Sequence, residues 1–94
     1  ITVPPQYMGP NASIENAYIN QGCVVDGTVI NSVLFTGVKV DKGAVVKDSV
    51  LMPFSHVKSD AFVQRVIVAD DVVIGEGAKV GKESGEIDLI SQNI

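Results

Sequence analysis

The chain has 94 residues, which is enough for one small domain. Seven basic residues against eleven acidic ones give a net charge of −4. This charge argues against a nucleic-acid or anionic-membrane surface, because both need a basic excess. The sequence shows no signal peptide and no apolar run long enough to span a bilayer. The single Cys23 excludes an internal disulfide, and together these features predict a cytoplasmic protein.

The apolar residues predict strands rather than helices. Val and Ile dominate them, and β-branched side chains favour strands. A helical bundle would need Leu, Ala, Glu and Lys at a period of 3.6, and no such run is found. Residues 1–12, ITVPPQYMGPNA, hold three of the four prolines and predict an extended segment that leads into the domain. The chain opens on Ile1 instead of Met, which suggests a processed chain or a piece of a longer one.

An internal repeat follows this segment. Its copies are VDKGAVV (40–46), VKSDAFV (57–63) and IGEGAKV (74–80), each starting 17 residues after the last. The segments before them recur in the same frame: VLFTGVKV (33–40), VLMPFSHV (50–57) and IVADDVVI (67–74). An earlier copy, YINQGCVV (18–25), precedes the first of these by 15 residues. The repeat predicts coils of nearly constant length.

Within each copy the aliphatic residues lie about six apart, with a small residue at the fifth place. The small residues are Cys23, Ala44, Ala61 and Ala78. This hexapeptide rhythm predicts an all-β fold, a single-stranded parallel β-helix in which three short strands form one coil of about 18 residues. A spacing of 15 or 17 predicts that one face or corner is shortened. Val40, Val57 and Ile74 should then stack along the axis, whereas an antiparallel sandwich would show two-residue turns between longer strands.

The rhythm ends after Gly81, and EIDLI (86–90) predicts one further strand. The predicted organisation is therefore an extended segment over 1–12, a β-helix over 13–82 and a terminal strand and tail over 83–94.

Few residues suggest chemistry. His56, the only histidine, falls just before an inward valine and should point outward, as a solvated side chain rather than a general base. Cys23 is interpreted as a buried structural thiol. The Asp70-Asp71 pair is interpreted as a solvated corner rather than a metal site, and GEG (75–77) lacks the Lys-Ser/Thr of a phosphate loop. The sequence therefore predicts no catalytic, cofactor-binding or metal-binding residue.

Longer strings resemble a known family. Residues 4–53, from PPQYMGP to SVLMP, resemble the carboxy-terminal domain of bacterial glucose-1-phosphate adenylyltransferase, also called ADP-glucose pyrophosphorylase. The tail GEIDLISQN (85–93) resembles the last ordered turn of that family. NSVLF followed by DSV…MP is more specific than an isolated hexapeptide. The features that carry the resemblance are Pro4-Pro5, Gly22-Cys23, Gly27-Thr28-Val29, Asn31-Ser32-Val33-Leu34-Phe35, and Asp48-Ser49-Val50 through Met52-Pro53.

The resemblance implies a function for the longer protein. The full enzyme would join ATP and glucose 1-phosphate into ADP-glucose and pyrophosphate for glycogen synthesis, using Mg²⁺ in an amino-terminal catalytic domain. This chain would be its non-catalytic C-terminal fragment, with no cofactor of its own. In the family this domain is a left-handed β-helix, an exception to the usual right-handed crossover. It packs on its own catalytic domain, helps to build a homotetramer and lines a cleft for anionic sugar-phosphate effectors.

The same resemblance assigns one effector contact. Arg65 matches a basic position that helps to hold an anionic effector in relatives, although a surface Arg65 paired with a carboxylate is the alternative. Gln64 and Ser91 stand where some relatives carry a basic residue, so the resemblance does not imply strong activation by anions. Three other functions stay open: the same domain in a non-catalytic regulatory paralogue, a hexapeptide-repeat acyltransferase, and a purely structural β-solenoid.

Overall fold

A computed structural model describes residues 7–9, 12–82 and 85–94. Within these ranges the secondary structure consists of short strands and turns without a helix. The segment predicted over 1–12 lies mostly outside the described residues, and so do residues 83 and 84 of the tail. No helix of the described residues could cross a membrane.

Fifteen short strands form three parallel five-stranded sheets, which are the faces of a β-solenoid. The first face contains β1 (Tyr7–Met8), β4 (Val24–Val25), β7 (Lys39–Val40), β10 (His56–Val57) and β13 (Val73–Ile74). The second face contains β2 (Ser13–Glu15), β5 (Thr28–Ile30), β8 (Val45–Lys47), β11 (Phe62–Gln64) and β14 (Lys79–Val80). The third face contains β3 (Tyr18–Ile19), β6 (Val33–Leu34), β9 (Val50–Leu51), β12 (Val66–Val68) and β15 (Asp88–Ile90). The predicted all-β solenoid is confirmed.

The register confirms the predicted repeat. Val57 pairs with Val40 on one side and with Ile74 on the other, a step of 17 residues each way. Val25 pairs with Val40 at a step of 15. The shorter coil loses its residues between the first and second faces, because four positions separate Val25 from Val29 where six separate Val40 from Val46. The strand that EIDLI predicts is present as β15, which pairs with β12.

Aliphatic side chains from all three faces fill the core. Fully buried members include Val57 of the first face, Val63 of the second and Leu51 of the third. Each such side chain contributes roughly 1.5–3 kcal/mol relative to an exposed one. Ala44 and Ala61, at 0% and 1% exposure, occupy the corner between the first and second faces, where little space is left.

The corner between the second and third faces explains the NSV and DSV motifs. Asn31 and Asp48 have φ of 49° and 51°, a left-handed conformation that Asn and Asp tolerate better than most residues. The next residues are stacked serines: the Ser49 backbone N–H donates to the Ser32 hydroxyl oxygen at 3.1 Å. The Ser32 hydroxyl in turn donates to the Ile30 carbonyl oxygen at 2.7 Å. These buried hydroxyls therefore have partners inside the corner.

Candidate functional site

His56 lies on the outward side of the first face and is bonded to a carboxylate. Its Nε2 lies 2.8 Å from Asp41 Oδ2, with His56 and Asp41 side chains 28% and 38% exposed. Its outward direction agrees with the sequence prediction, but it is paired rather than simply solvated. The 17-residue register places Asp41 beside Lys58, so the diagonal contact could not be found from the repeat. This pair orients the ring and ties up one ring nitrogen.

Cys23 is buried at the corner between the third and first faces. Its thiol donates to the Phe35 carbonyl oxygen at 3.0 Å. Burial raises the pKa of the Cys23 thiol, and nearby backbone hydrogen bonds only partly offset this. A thiol that stays protonated is a poor nucleophile and a poor metal ligand, which agrees with a structural role.

The acidic corners form no metal centre in the described part of the chain. Asp70 and Asp71 lie exposed in a turn, as predicted. The residues of GEG (75–77) also occupy a corner, and no helix follows them. No group of three or more His, Cys, Asp or Glu side chains that could hold a metal ion occurs among the described residues.

Arg65 occupies the corner between the second and third faces, with φ of 51°. Its Nη2 donates to the Gly85 carbonyl oxygen at 2.6 Å, which links the fourth coil to the returning tail. Its Nε is buried and has no hydrogen-bond partner among the described residues. The guanidinium therefore fastens the last coil and keeps one donor available.

A shallow cavity of about 260 Å³ lies on the second face close to Arg65 in sequence. Phe62, Gln64, Lys79, Val80 and Gly81 line it. Lys79 supplies a positive charge and Gln64 an amide beside an apolar floor. Arg65 itself is not among the lining residues, and Ser91 lines a different cavity in the tail. The structure thus does not bring Arg65, Gln64 and Ser91 together in one cavity.

The outward side of the third face carries a column of apolar side chains. This apolar column consists of Tyr18, Val33, Val50, Ile67 and Leu89, stacked in register. Tyr18 and Leu89 are 77% and 65% exposed, and Ile67 is 37% exposed. The sequence analysis missed this surface because it followed only the inward positions. The signal was readable, since stepping by 17 from Val33 gives Val50 and then Ile67.

The other two faces carry charges at the corresponding outward positions. Lys39 and His56 stack on the first face. Lys47 stacks against Gln64 on the second face, where Lys79 follows Phe62. The third face is therefore distinct from its neighbours in its lack of outward charge along the strands.

Comparison with known proteins places the chain more closely. A family model described as "GlmU-like, C-terminal hexapeptide" matches residues 5–88. Relatives named glucose-1-phosphate adenylyltransferase include those of Bacillus thuringiensis (strain Al Hakam), at 40% identity, and Bacillus cytotoxicus, at 39%. Each match spans 87 residues, or 93% of this chain, but only 23% of the relative's length. It falls in their C-terminal region.

Stacked parallel coils, small residues at the corners and the hexapeptide rhythm define a hexapeptide-repeat β-solenoid. The chain belongs to the GlmU-like C-terminal hexapeptide family, since the family model covers most of its length. The resemblance drawn from NSVLF and DSV…MP is confirmed by the adenylyltransferase relatives.

Proposed function

We propose that this chain is the C-terminal β-helix domain of a glucose-1-phosphate adenylyltransferase. The longer polypeptide makes ADP-glucose and pyrophosphate from ATP and glucose 1-phosphate, which supplies glycogen synthesis in the cytoplasm. The observation that carries the proposal is the match of about 40% identity over 93% of the chain to relatives of that name. The domain itself acts in assembly and regulation, and the chemistry belongs to upstream residues.

The site chemistry supports a non-catalytic role for these residues. Cys23 is a buried thiol with a raised pKa, and His56 is bonded to Asp41 away from either cavity. The described residues do not provide a cluster suited to Mg²⁺. The Mg²⁺ that the proposed reaction uses is therefore assigned to the upstream catalytic domain, together with ATP.

The proposal is tested on the full-length polypeptide. It should form ADP-glucose from ATP and glucose 1-phosphate with Mg²⁺, while the 94-residue chain should form none. An inactive full-length protein that activates a separate catalytic subunit would assign the chain to a regulatory paralogue instead. Thermal stabilisation of the 94-residue chain by acetyl-CoA would favour an acyltransferase. The upstream sequence should contain a Gly-rich nucleotide loop and a substrate-binding lysine.

The regulatory part of the proposal assigns an anionic effector, such as a sugar phosphate, to the region of Arg65. The unpartnered buried Nε and the Lys79 charge beside Gln64 support it, because a guanidinium holds phosphate oxygens well. Arg65→Gln in the full-length enzyme should weaken the response of activity to inorganic phosphate or sulfate several-fold. Lys58→Gln removes the same charge at a different corner and should leave the response unchanged. Equal responses in both variants would remove Arg65 from the effector site.

A further inference from the structure

The third face is an uncharged strip on a charged molecule. Its strands contain one charged residue, Asp88, which is in register with buried Val66 rather than with exposed Ile67. Phe35 and Met52 extend the apolar column toward the next corner, and Phe35 is 37% exposed. Contiguous apolar patches of this kind mark surfaces that another protein surface covers.

Phe54 adds an independent observation beside this strip. It is 60% exposed and has φ of 64°, a conformation that is unfavourable for a bulky side chain. The equivalent position one coil away is Gly37 and on the other side Asp71, both with positive φ, and both residue types tolerate that conformation better. An exposed phenylalanine in a strained turn gains nothing in the core. Its placement is explained if the ring contacts a neighbouring surface.

The size of the strip identifies the kind of neighbour. Five layers span about 19 Å at the usual strand spacing, and the solenoid is 24 Å by 23 Å in cross-section. The strip therefore offers roughly 500 Å², below the ~800 Å² per partner of stable complexes between separate proteins. A domain of the same polypeptide needs less area, because a tether supplies an effective concentration of millimolar order.

We infer that the third face, through the apolar column and Phe54, is the surface on which the upstream domain of the same polypeptide docks. This inference rests on the proposed function, since it takes the chain to be one domain of a longer enzyme. The other two faces, with their charged columns, stay in contact with solvent or with effectors. The upstream domain should present a complementary apolar strip of similar length.

The test uses two matched variants of the full-length protein, Ile67→Lys and Val24→Lys. Both positions point outward from strands and are 37% and 36% exposed, but Ile67 lies on the third face and Val24 on the first. Scanning calorimetry should show one joint unfolding transition for the wild type and for Val24→Lys. Ile67→Lys should split it into two transitions and increase the rate of proteolysis between the domains. Leu89→Lys, at a more exposed position of the column, should act in the same direction.

The outcomes separate the two proposals. If Ile67→Lys and Val24→Lys behave alike, the docking surface is wrong even when the enzyme makes ADP-glucose. If the full-length protein makes no ADP-glucose but Ile67→Lys still splits the transition, the proposed activity is wrong and the docking surface stands. A dimer of the 94-residue chain in sedimentation velocity that Ile67→Lys dissociates would assign the face to a second copy and overturn the inference. Far-ultraviolet circular dichroism of the 94-residue variants should show unchanged strand content.

Discussion

At the residue scale, the fold depends on small side chains at the corners and on glycine or polar residues in the turns. Ala61 lies between Ala44 and Ala78 in the column of small residues at the first corner. The sequence predicted these positions because their spacing is regular and their side chains share one property. It could not predict Phe54 or Arg65 in the left-handed conformation, because neither residue type favours it.

Ala61→Leu should lower the free energy of unfolding by roughly 1–3 kcal/mol, because the added carbons overfill a closed corner. Chemical denaturation of the 94-residue chain measures the change. Thr36→Leu enlarges an exposed corner residue and should cost much less. An Ala61→Leu protein as stable as the wild type would contradict the inward placement of Ala61.

Cys23 should make stability depend on pH in the alkaline range. Burial raises the pKa of its thiol, so the folded thiol stays protonated while the unfolded thiol ionises above about pH 8.5. The unfolded state then gains stability as pH rises, and the Cys23 contribution falls by up to about 1.4 kcal/mol per pH unit. The stability difference between the wild type and Cys23→Ala should therefore shrink from pH 8 to pH 10. A difference that stays constant across that range would argue that the thiol is not shielded from water.

At the element scale, coil length is set at the corners. The corner between the second and third faces is short in each coil and has positive φ at Asn16, Asn31, Asp48 and Arg65. The steps of 15 and 17 predicted that something was shortened, but not where, because spacing alone does not assign a residue to a face or a corner. The apolar column was missed for a related reason. Outward Val and inward Val look alike in the sequence until the register is fixed.

Gly27 is the element-scale position that the shorter coil requires. A Cβ at Gly27 would lie 2.5 Å from the Ala44 carbonyl oxygen and 2.7 Å from that of Asp41. Gly27→Ala should therefore cost roughly 1–3 kcal/mol of unfolding free energy through overpacking. Gly77→Asn is the control, since a Cβ there meets nothing within 4 Å and Asp60 already has positive φ at the equivalent corner. Equal melting temperatures for the two variants would show that the short coil has room at Gly27.

At the scale of the whole molecule, the chain is a stiff prism with three different surfaces. One face is uncharged, while the other two carry basic residues and the His56–Asp41 pair. The described residues offer surfaces for contact and an anion-binding candidate rather than a reaction centre, which agrees with a domain that supports a catalytic neighbour. The solenoid class was predictable from the repeat, but the docking surface required the register.

The measurement that tests this account most directly is sedimentation velocity of the full-length protein with and without these 94 residues. The account predicts a homotetramer for the full-length protein and a smaller species for the truncated one, because the solenoid helps to hold the subunits together. A truncated protein that still sediments as the same tetramer would contradict the assembly role proposed for this domain.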